Sequence, residues 1–388
     1  SRPDEAVIHI FPRACYGNLQ WRIRRVDWDA SILEFGAGGY QLTNTLLDTS
    51  SRFYIENVFE ELDAPGEWYL DHDQNKLYYW PPAGVDLVSA EVVAPVLEQV
   101  VEFRGSQARP VKHVTLSGMR IAHTTSTFLE SYENLPSGDW CIHRGGAVWM
   151  EGAEDCAVQS CFFDAVGGNG VFINNYNRRI RVSGNRFTQA GESAICLVGS
   201  QQHTVGTVEA FPADNLLANN LIHDCGVFGK QVAGIFSSFS QRNTISHNLI
   251  YNMPRAGICI NDGYFGGHIV EFNEVYATVR ETSDHGPFNS WGRGRYWCLQ
   301  QSHSKGFTSV HEAGDVLSEA LEPTIIRHNY FHDNHGWGID LDDGTSNYVV
   351  THNLCVGISV KLREGDYRTV ENNIFYKPAV PPGFHVGY

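Results

Sequence analysis

The sequence predicts an all-β chain: a right-handed parallel β-helix over residues 101–388, preceded by a β-rich module over residues 1–100. Three observations carry this prediction. A short motif centred on Asn recurs through most of the chain, the segments flanking it alternate apolar and polar residues with a period of two, and the first hundred residues lack the motif. Self-similarity at this spacing is the signature of a solenoid, and two-residue alternation excludes helical repeats.

The repeat reads SGNRF around Asn185, ANNLIHD around Asn220, SHNLIYN around Asn248 and EFNEVYA around Asn273. It continues as RHNYFHD around Asn329, THNLCVG around Asn353 and ENNIFYK around Asn373. QSCFFDA, with Cys161 in the Asn slot, and LSGMRIAH, with Gly118, are earlier members. From Cys161 onward the steps are 24, 35, 28, 25, 56, 24 and 20 residues, most of them the size of one coil and the two long ones a coil plus a loop. Each unit predicts a strand, an Asn at a tight bend, a second strand, a polar turn and a third strand such as AGICIN. Asn suits the bend because it tolerates left-handed backbone angles, and stacked Asn side chains bond to one another along the coil axis. Right-handedness follows from the general preference of parallel crossovers.

The first hundred residues contain the strand-like runs AVIHIF and RFYIENVF, then EWYL-DHDQNK-LYYW, which reads as a hairpin closed off by Pro81 and Pro82. Such a module is expected to pack on the solenoid or cap it, since the ends of a solenoid need covering.

The charge balance, 28 Lys and Arg against 44 Asp and Glu for a formal −16, disfavours nucleic acid as a partner, and there is no basic run to overturn it. No stretch approaches about 18 uninterrupted apolar residues, so no membrane-spanning helix is expected. The nine cysteines include no CxxC pair and are expected to be buried thiols rather than zinc ligands or a disulfide framework.

Stacking in register makes the third strand informative. The position eleven residues after the bend runs Phe172, Cys196, Cys259, Asp284 and Asp340, and matching VKLREG to IDLDDG adds Lys361. In GIDLDDG, Ile339 and Leu341 must point inward, so Asp340 and Asp342 share the outward face. Asn261 then falls below Asp342 and Arg363 above it, while Asp262, Asp343 and Glu364 form a column at the turn. Asp284 and Asp340 are therefore expected on neighbouring rungs about 4.8 Å apart. Two carboxyls that close do not both ionise cheaply; one keeps its proton as a general acid beside an ionised partner. That is the constellation of glycoside hydrolysis, and rung spacing leans towards retention of configuration.

The 56-residue step is read as a loop beginning at Asp284, SDHGPFNSWGRGRYW, which supplies His285, Trp291, Arg293, Tyr296 and Trp297. Long loops in compact proteins are usually functional, and aromatic rings with polar edges suit sugar faces. His285 and His311 are assigned to this loop as substrate contacts, whereas His223, His247, His332 and His335 are expected to hydrogen-bond at bends. Glu192 lies several coils away and is expected at most in a distal subsite. No cofactor is expected, although an acidic cluster at a turn is also the chemistry of a calcium site.

The runs FYIENVFEELDAPGEWYLD, LYYWPP, SDHGPFNSWGR, GWGIDLDDGTSNY and KLREGDYR together resemble bacterial β-helix glycosidases of the glycoside hydrolase family 141 type, which act as fucosidases and xylanases on plant cell-wall glycans. The resemblance implies a secreted or periplasmic enzyme with a catalytic pair Asp284 and Asp340. The expected substrate-binding set is Asn261, His285, Trp291, Arg293, Trp337, Asp342, Asp343, Lys361, Arg363 and Glu364. The competing expectation on the same scaffold is a polysaccharide lyase or uronate epimerase, with Lys361 or Arg363 as base or carboxylate neutraliser and calcium held by the acidic cluster. A glycan-binding solenoid without catalysis is the third.

Overall fold

The computed structural model describes residues 2–41, 47–135, 140–201, 210–261, 264–292, 298–302, 306–310, 316–379 and 383–386. Among them the solenoid consists of parallel strands stacked into long sheets. The ten-stranded sheet that matters below contains Val101–Arg104, Val148–Glu151, Val171–Asn174, Ile195–Val198 and Ala233–Ser238. It continues through Ala256–Asn261, Phe288–Trp291, Gly338–Asp342, Ser359–Leu362 and Phe384–Val386. Two nine-stranded sheets, one from Thr115–Ser117 to Arg368–Glu371 and one from Arg120–Ala122 to Ile374–Tyr376, meet at the Asn bend.

Alternation along each rung fixes which residues face in. Val171, Ile195, Ile235, Ile258, Phe288, Ile339 and Val360 form one fully buried file through the core. Each contributes roughly 1.5–3 kcal/mol by leaving water.

The bend Asn residues form a continuous ladder. The side-chain amide of Asn185 donates to Oδ1 of Asn220 at 3.0 Å, and the same bond links Asn220 to Asn248 (3.0 Å), Asn248 to Asn273 (2.9 Å) and Asn273 to Asn329 (3.0 Å). Asn329 to Asn353 (3.0 Å) and Asn353 to Asn373 (2.9 Å) complete it, and Cys161 joins through its backbone N–H to Oδ1 of Asn185. The left-handed backbone angle, however, belongs to the residue before each Asn: Ser160, Asn219, His247, Phe272, His328, His352 and Asn372 all have φ between 53° and 57°. Gly118 sits in this left-handed slot, since Arg120 pairs with Phe162 and leaves Met119 opposite Cys161. The side chains at these left-handed positions stack outside the coil, His247 on Phe272 on His328, with centroids 4.9 and 5.0 Å apart. A second outer stack runs His223, Tyr251, Tyr276, His332.

The module is an antiparallel sheet of Ile32–Gly38, Leu19–Asp27, Val7–Phe11 and Arg52–Glu56, followed by the expected hairpin Trp68–Asp71 with Lys76–Tyr79. It docks along the side of the solenoid. Asn18 and Gln20 both donate to the carbonyl of Phe228, at 2.9 and 2.8 Å, and Asn18 accepts from the N–H of Lys230 at 2.8 Å. Gly17 passes so close to the solenoid that a Cβ there would lie 2.7 Å from Cβ of Gln231.

Among the described cysteines, Cys141, Cys156, Cys161, Cys196, Cys225, Cys259 and Cys355 are buried thiols, as expected, whereas Cys15, in the module, is only half-buried.

Candidate active site

Register pairing along the ten-stranded sheet defines the outward column as Phe172, Cys196, Phe236, Cys259, Asn289, Asp340, Lys361 and His385. Asn289, not Asp284, occupies the rung between Cys259 and Asp340. The coil after Asn273 carries five extra residues before its third strand, so fixed-offset counting lands one turn too early. The long loop likewise begins later than expected: Phe288–Trp291 is a rung of the sheet, and the excursion follows it, with Cys298–Ser302 and Gly306–Val310 paired antiparallel. Arg293, Tyr296, Trp297, His311 and Asp262 lie outside the described residues.

The outward face is not open. Leu135, Trp140 and Ile142 lie over Trp149, Phe172, Cys196, Phe236 and Cys259 as a second apolar layer. Where that layer ends, the column turns polar and remains buried: Asp340 is 0% exposed, and Lys361 and Asp342 are nearly so. A buried charge requires a partner, and here the partners are one another. Nζ of Lys361 lies 3.0 Å from Oδ1 of Asp340, 3.0 Å from Oδ1 of Asp342 and 3.6 Å from Oδ1 of Asp284. Oδ2 of Asp340 accepts from Nδ2 of Asn289 at 2.9 Å.

Asp284 reaches this cluster from a turn rather than from a strand. Asp284 and His285 both take left-handed angles, φ 60° and 59°. Glycines let that turn press against the next coil: a Cβ on Gly336 would lie 2.1 Å from the carbonyl oxygen of His285, and one on Gly286 would lie 2.1 Å from that of Gly338. The N–H of Trp337 donates to the carbonyl of His285 at 2.7 Å, and its indole Nε1 donates to Oδ1 of Asp284 at 2.8 Å. One oxygen each from Asp284 and Asp340 and a ring nitrogen of His285 lie within 4.8 Å of one another. The two aspartates singled out from the sequence are thus together, although by a different route from the one the repeat implies.

Their environments push them apart. For Asp340, burial raises the carboxyl well above its ordinary value, and the charges of Asp342 and Asp284 add to this against the pull of Lys361. Its Oδ1 faces the Lys361 ammonium at 3.0 Å. For Asp284, burial alone would also raise the carboxyl. Hydrogen bonding from His285, with the charges of Lys361 and Arg255, outweighs it and holds the group well below the ordinary carboxylate range. His285 is itself lowered to about 4 by burial and the Arg255 charge, so at neutral pH it is uncharged and the charge on Asp284 is answered by Lys361 and Arg255. Lys361 is raised despite burial because carboxylates surround it.

The other expected contacts divide clearly. Trp337, half-buried, has its ring 4.9 Å from Nζ of Lys361 and 4.9 Å from the His385 ring, so it orients the cluster. Trp291 is buried and its indole N–H donates to Oδ1 of Asn261, which places both inside the wall rather than on a sugar-facing loop. Arg363 sits among Asp342 (3.5 Å), Asp343 (3.0 Å) and Glu364 (3.3 Å) at the stacked turn. Glu192 is buried: the Tyr132 hydroxyl donates to it beside a partly open cavity of about 20 Å³, and burial raises it to about 8. Asn289 and Arg255 went unread in the sequence. Matching the inward Phe288 and Ser290 to Ile258 and Ile260 would have found Asn289; Arg255 has no such signal.

Comparison with known proteins supplies context for this geometry. A family model described as the GH141 insertion domain matches residues 43–82, within the module, and one described as the right-handed beta helix region matches residues 142–286. No curated protein matches the sequence. A solved structure described as a glycoside hydrolase superposes with a TM-score of 0.70 at 17% identity, covering 100% of this chain and 68% of that one. At that identity the likeness is one of fold. A xylose complex of XylC aligns with a TM-score of 0.46 at 13% identity, over 78% of this chain and 48% of that one. The A-module of the mannuronan C-5 epimerase AlgE4 from Azotobacter vinelandii aligns with a TM-score of 0.42 at 10% identity, over 74% and 70%.

Proposed function

We propose that this chain, a glycoside hydrolase by its GH141 insertion domain and β-helix, cleaves a plant cell-wall or similar complex glycan with Asp340 as general acid and Asp284 as nucleophile. The observation that carries the reading is the opposed tuning of two adjacent carboxyls, Asp340 kept protonated and Asp284 kept ionised. Pairs driven apart in this way mark acid and base assignments. Asp340 donates its proton to the leaving glycosidic oxygen while Asp284 attacks the anomeric carbon; water then releases the sugar, with Asp340 acting as base. One oxygen of each carboxyl lies within 4.8 Å of the other, a short separation of the kind retaining enzymes use. Substrate approaches over Asp284, whose side chain is 22% exposed, beside Trp337.

Lyase or epimerase chemistry suits the site poorly. Lys361 is held as an ammonium among three carboxyls and makes a poor base, and Arg363 is already engaged by Asp342, Asp343 and Glu364. The Lys361 ammonium also occupies the place among the carboxyls that calcium would take, so the reaction is read as needing no cofactor. Action outside the cytoplasm, in the periplasm or medium, fits a substrate of this size.

A panel of 4-nitrophenyl glycosides and cell-wall oligosaccharides identifies the substrate, with NMR of the first-formed anomer. Asp284→Asn and Asp340→Asn are each expected to lower turnover by about 10²- to 10⁴-fold. Asp284→Gly is expected to regain activity with azide and release a glycosyl azide of inverted configuration. Full activity in either Asn variant removes that residue from the mechanism, and an inverted first product removes the nucleophile role.

A further inference from the structure

Arg255 is 1% exposed and lies immediately before the strand Ala256–Asn261, on the coil next to the one that carries Asp284. Its guanidinium contacts two segments more than 200 residues apart. Nη1 donates to the carbonyl of Tyr16 and, at 3.3 Å, to that of Ser283; Nη2 lies 3.3 Å from Nδ1 of His285. The aromatic rings of Tyr16 and Trp140 flank it, with centroids 5.3 and 5.7 Å away, and Trp140 stacks on His285. The module segment is bonded to the turn directly as well: Ser283 donates its N–H to the carbonyl of Cys15 at 2.8 Å and its hydroxyl to that of Ala14.

Two features bear on Asp284. Nδ1 of His285 lies between the guanidinium, 3.3 Å away, and Oδ2 of Asp284, 3.5 Å away, so Arg255 and Asp284 bracket one edge of the imidazole. Consecutive left-handed angles at two residues with β-carbons are costly and persist only where the surroundings over-determine them. Here the surroundings are Arg255, the backbone of residues 14–16 and the Gly336–Trp337 turn.

We propose that Arg255 is the positioning residue of this site, clamping the Ala14–Tyr16 segment of the module to the Ser283–His285 turn so that Asp284 meets Lys361 only when the module is seated. This rests on the reading of Asp284 as a catalytic carboxylate. The module is then a structural part of the active site rather than a cover for the end of the solenoid.

Two variants test it. Arg255→Lys keeps the charge but loses the fork, and Gly17→Val forces the module away from Gln231 without touching the site. On the best 4-nitrophenyl glycoside of the panel, each is expected to lower kcat by about 10²-fold, the effect of a misplaced reacting group, with KM within threefold. Amide exchange at Ser283 is expected to speed up at least tenfold in both, while circular dichroism stays that of the wild type. Retention of kcat within twofold in both variants or unchanged exchange at Ser283 overturns the proposal. Amide exchange is read without substrate, so a wild type that cleaves no glycoside defeats the glycosidase reading and leaves this one decided separately.

Discussion

Asp340 is a carboxyl whose folded state holds the proton that its unfolded state releases. Below an ordinary carboxyl pKa of about 3.9 both states are protonated and its burial is neutral with pH. As pH rises from there towards the raised folded value, the unfolded chain binds fewer protons than the native one, and stability falls by about 1.4 kcal/mol for each unit of the shift. Asp284 runs the other way: its contribution is present above about 3.9 and is lost as pH falls towards its depressed folded value. Asp340→Asn removes only the first effect. Its Tm relative to wild type is therefore expected to rise between pH 4.5 and pH 8, as calorimetry at the two values will show; a constant difference would mean that Asp340 is ionised in the fold. Residues of this kind are legible from sequence where the strand itself places them. Asp340, Asp342, Lys361 and Arg363 follow from alternation in GIDLDDG and VKLREG, because the inward residues are unmistakable. The burial of Asp340 is not legible, since the groups packed around it include Asp284 and His285, which reach it from a turn and not from a rung. Nor is Arg255, whose partners include Tyr16, 239 residues earlier.

Between the residue and the whole lies the coil, and its stability is concentrated at the bend. Asn248 accepts from both the N–H and the amide of Asn220 and donates to Asn273 and to the carbonyl of Leu217. Asn248→Ala leaves these buried groups unpaired at about 1–3 kcal/mol each, so a loss of roughly 3–5 kcal/mol is expected. Asn373→Ala, at a half-exposed bend, is expected to cost less than half as much. Urea midpoints at unchanged slope measure both, and equal losses would show that the ladder bonds are not what the bend contributes. The repeat is visible in the sequence because every coil needs this Asn. Its reason is misassigned by propensity alone: tolerance of left-handed angles belongs to the preceding position, where Ser, His, Phe and Asn are all accepted. Coil length is the less legible quantity. Insertions before the third strand, in the coils of Asn220 and Asn273, shift the register without disturbing the Asn ladder.

At the scale of the molecule, the module and the solenoid are joined by few but buried polar contacts. Asn18 bonds to both Phe228 and Lys230 with no exposure to water. Asn18→Leu strips the Lys230 N–H of its acceptor and is expected to cost about 2–4 kcal/mol. Calorimetry is expected to resolve a separate, earlier transition for the module; a single transition at the wild-type temperature would refute the importance of this joint. Sequence shows that a β-rich module precedes the repeat but not where it docks, because no local pattern records contacts spanning more than 200 residues. That span also sets an order of events during synthesis. Ala14 leaves the ribosome 269 residues ahead of Ser283, the residue that bonds to it. At about 5–20 residues per second, the segment waits roughly 10–50 s for its partner. The Asp284 turn is thus completed only after the coils below it have had time to stack.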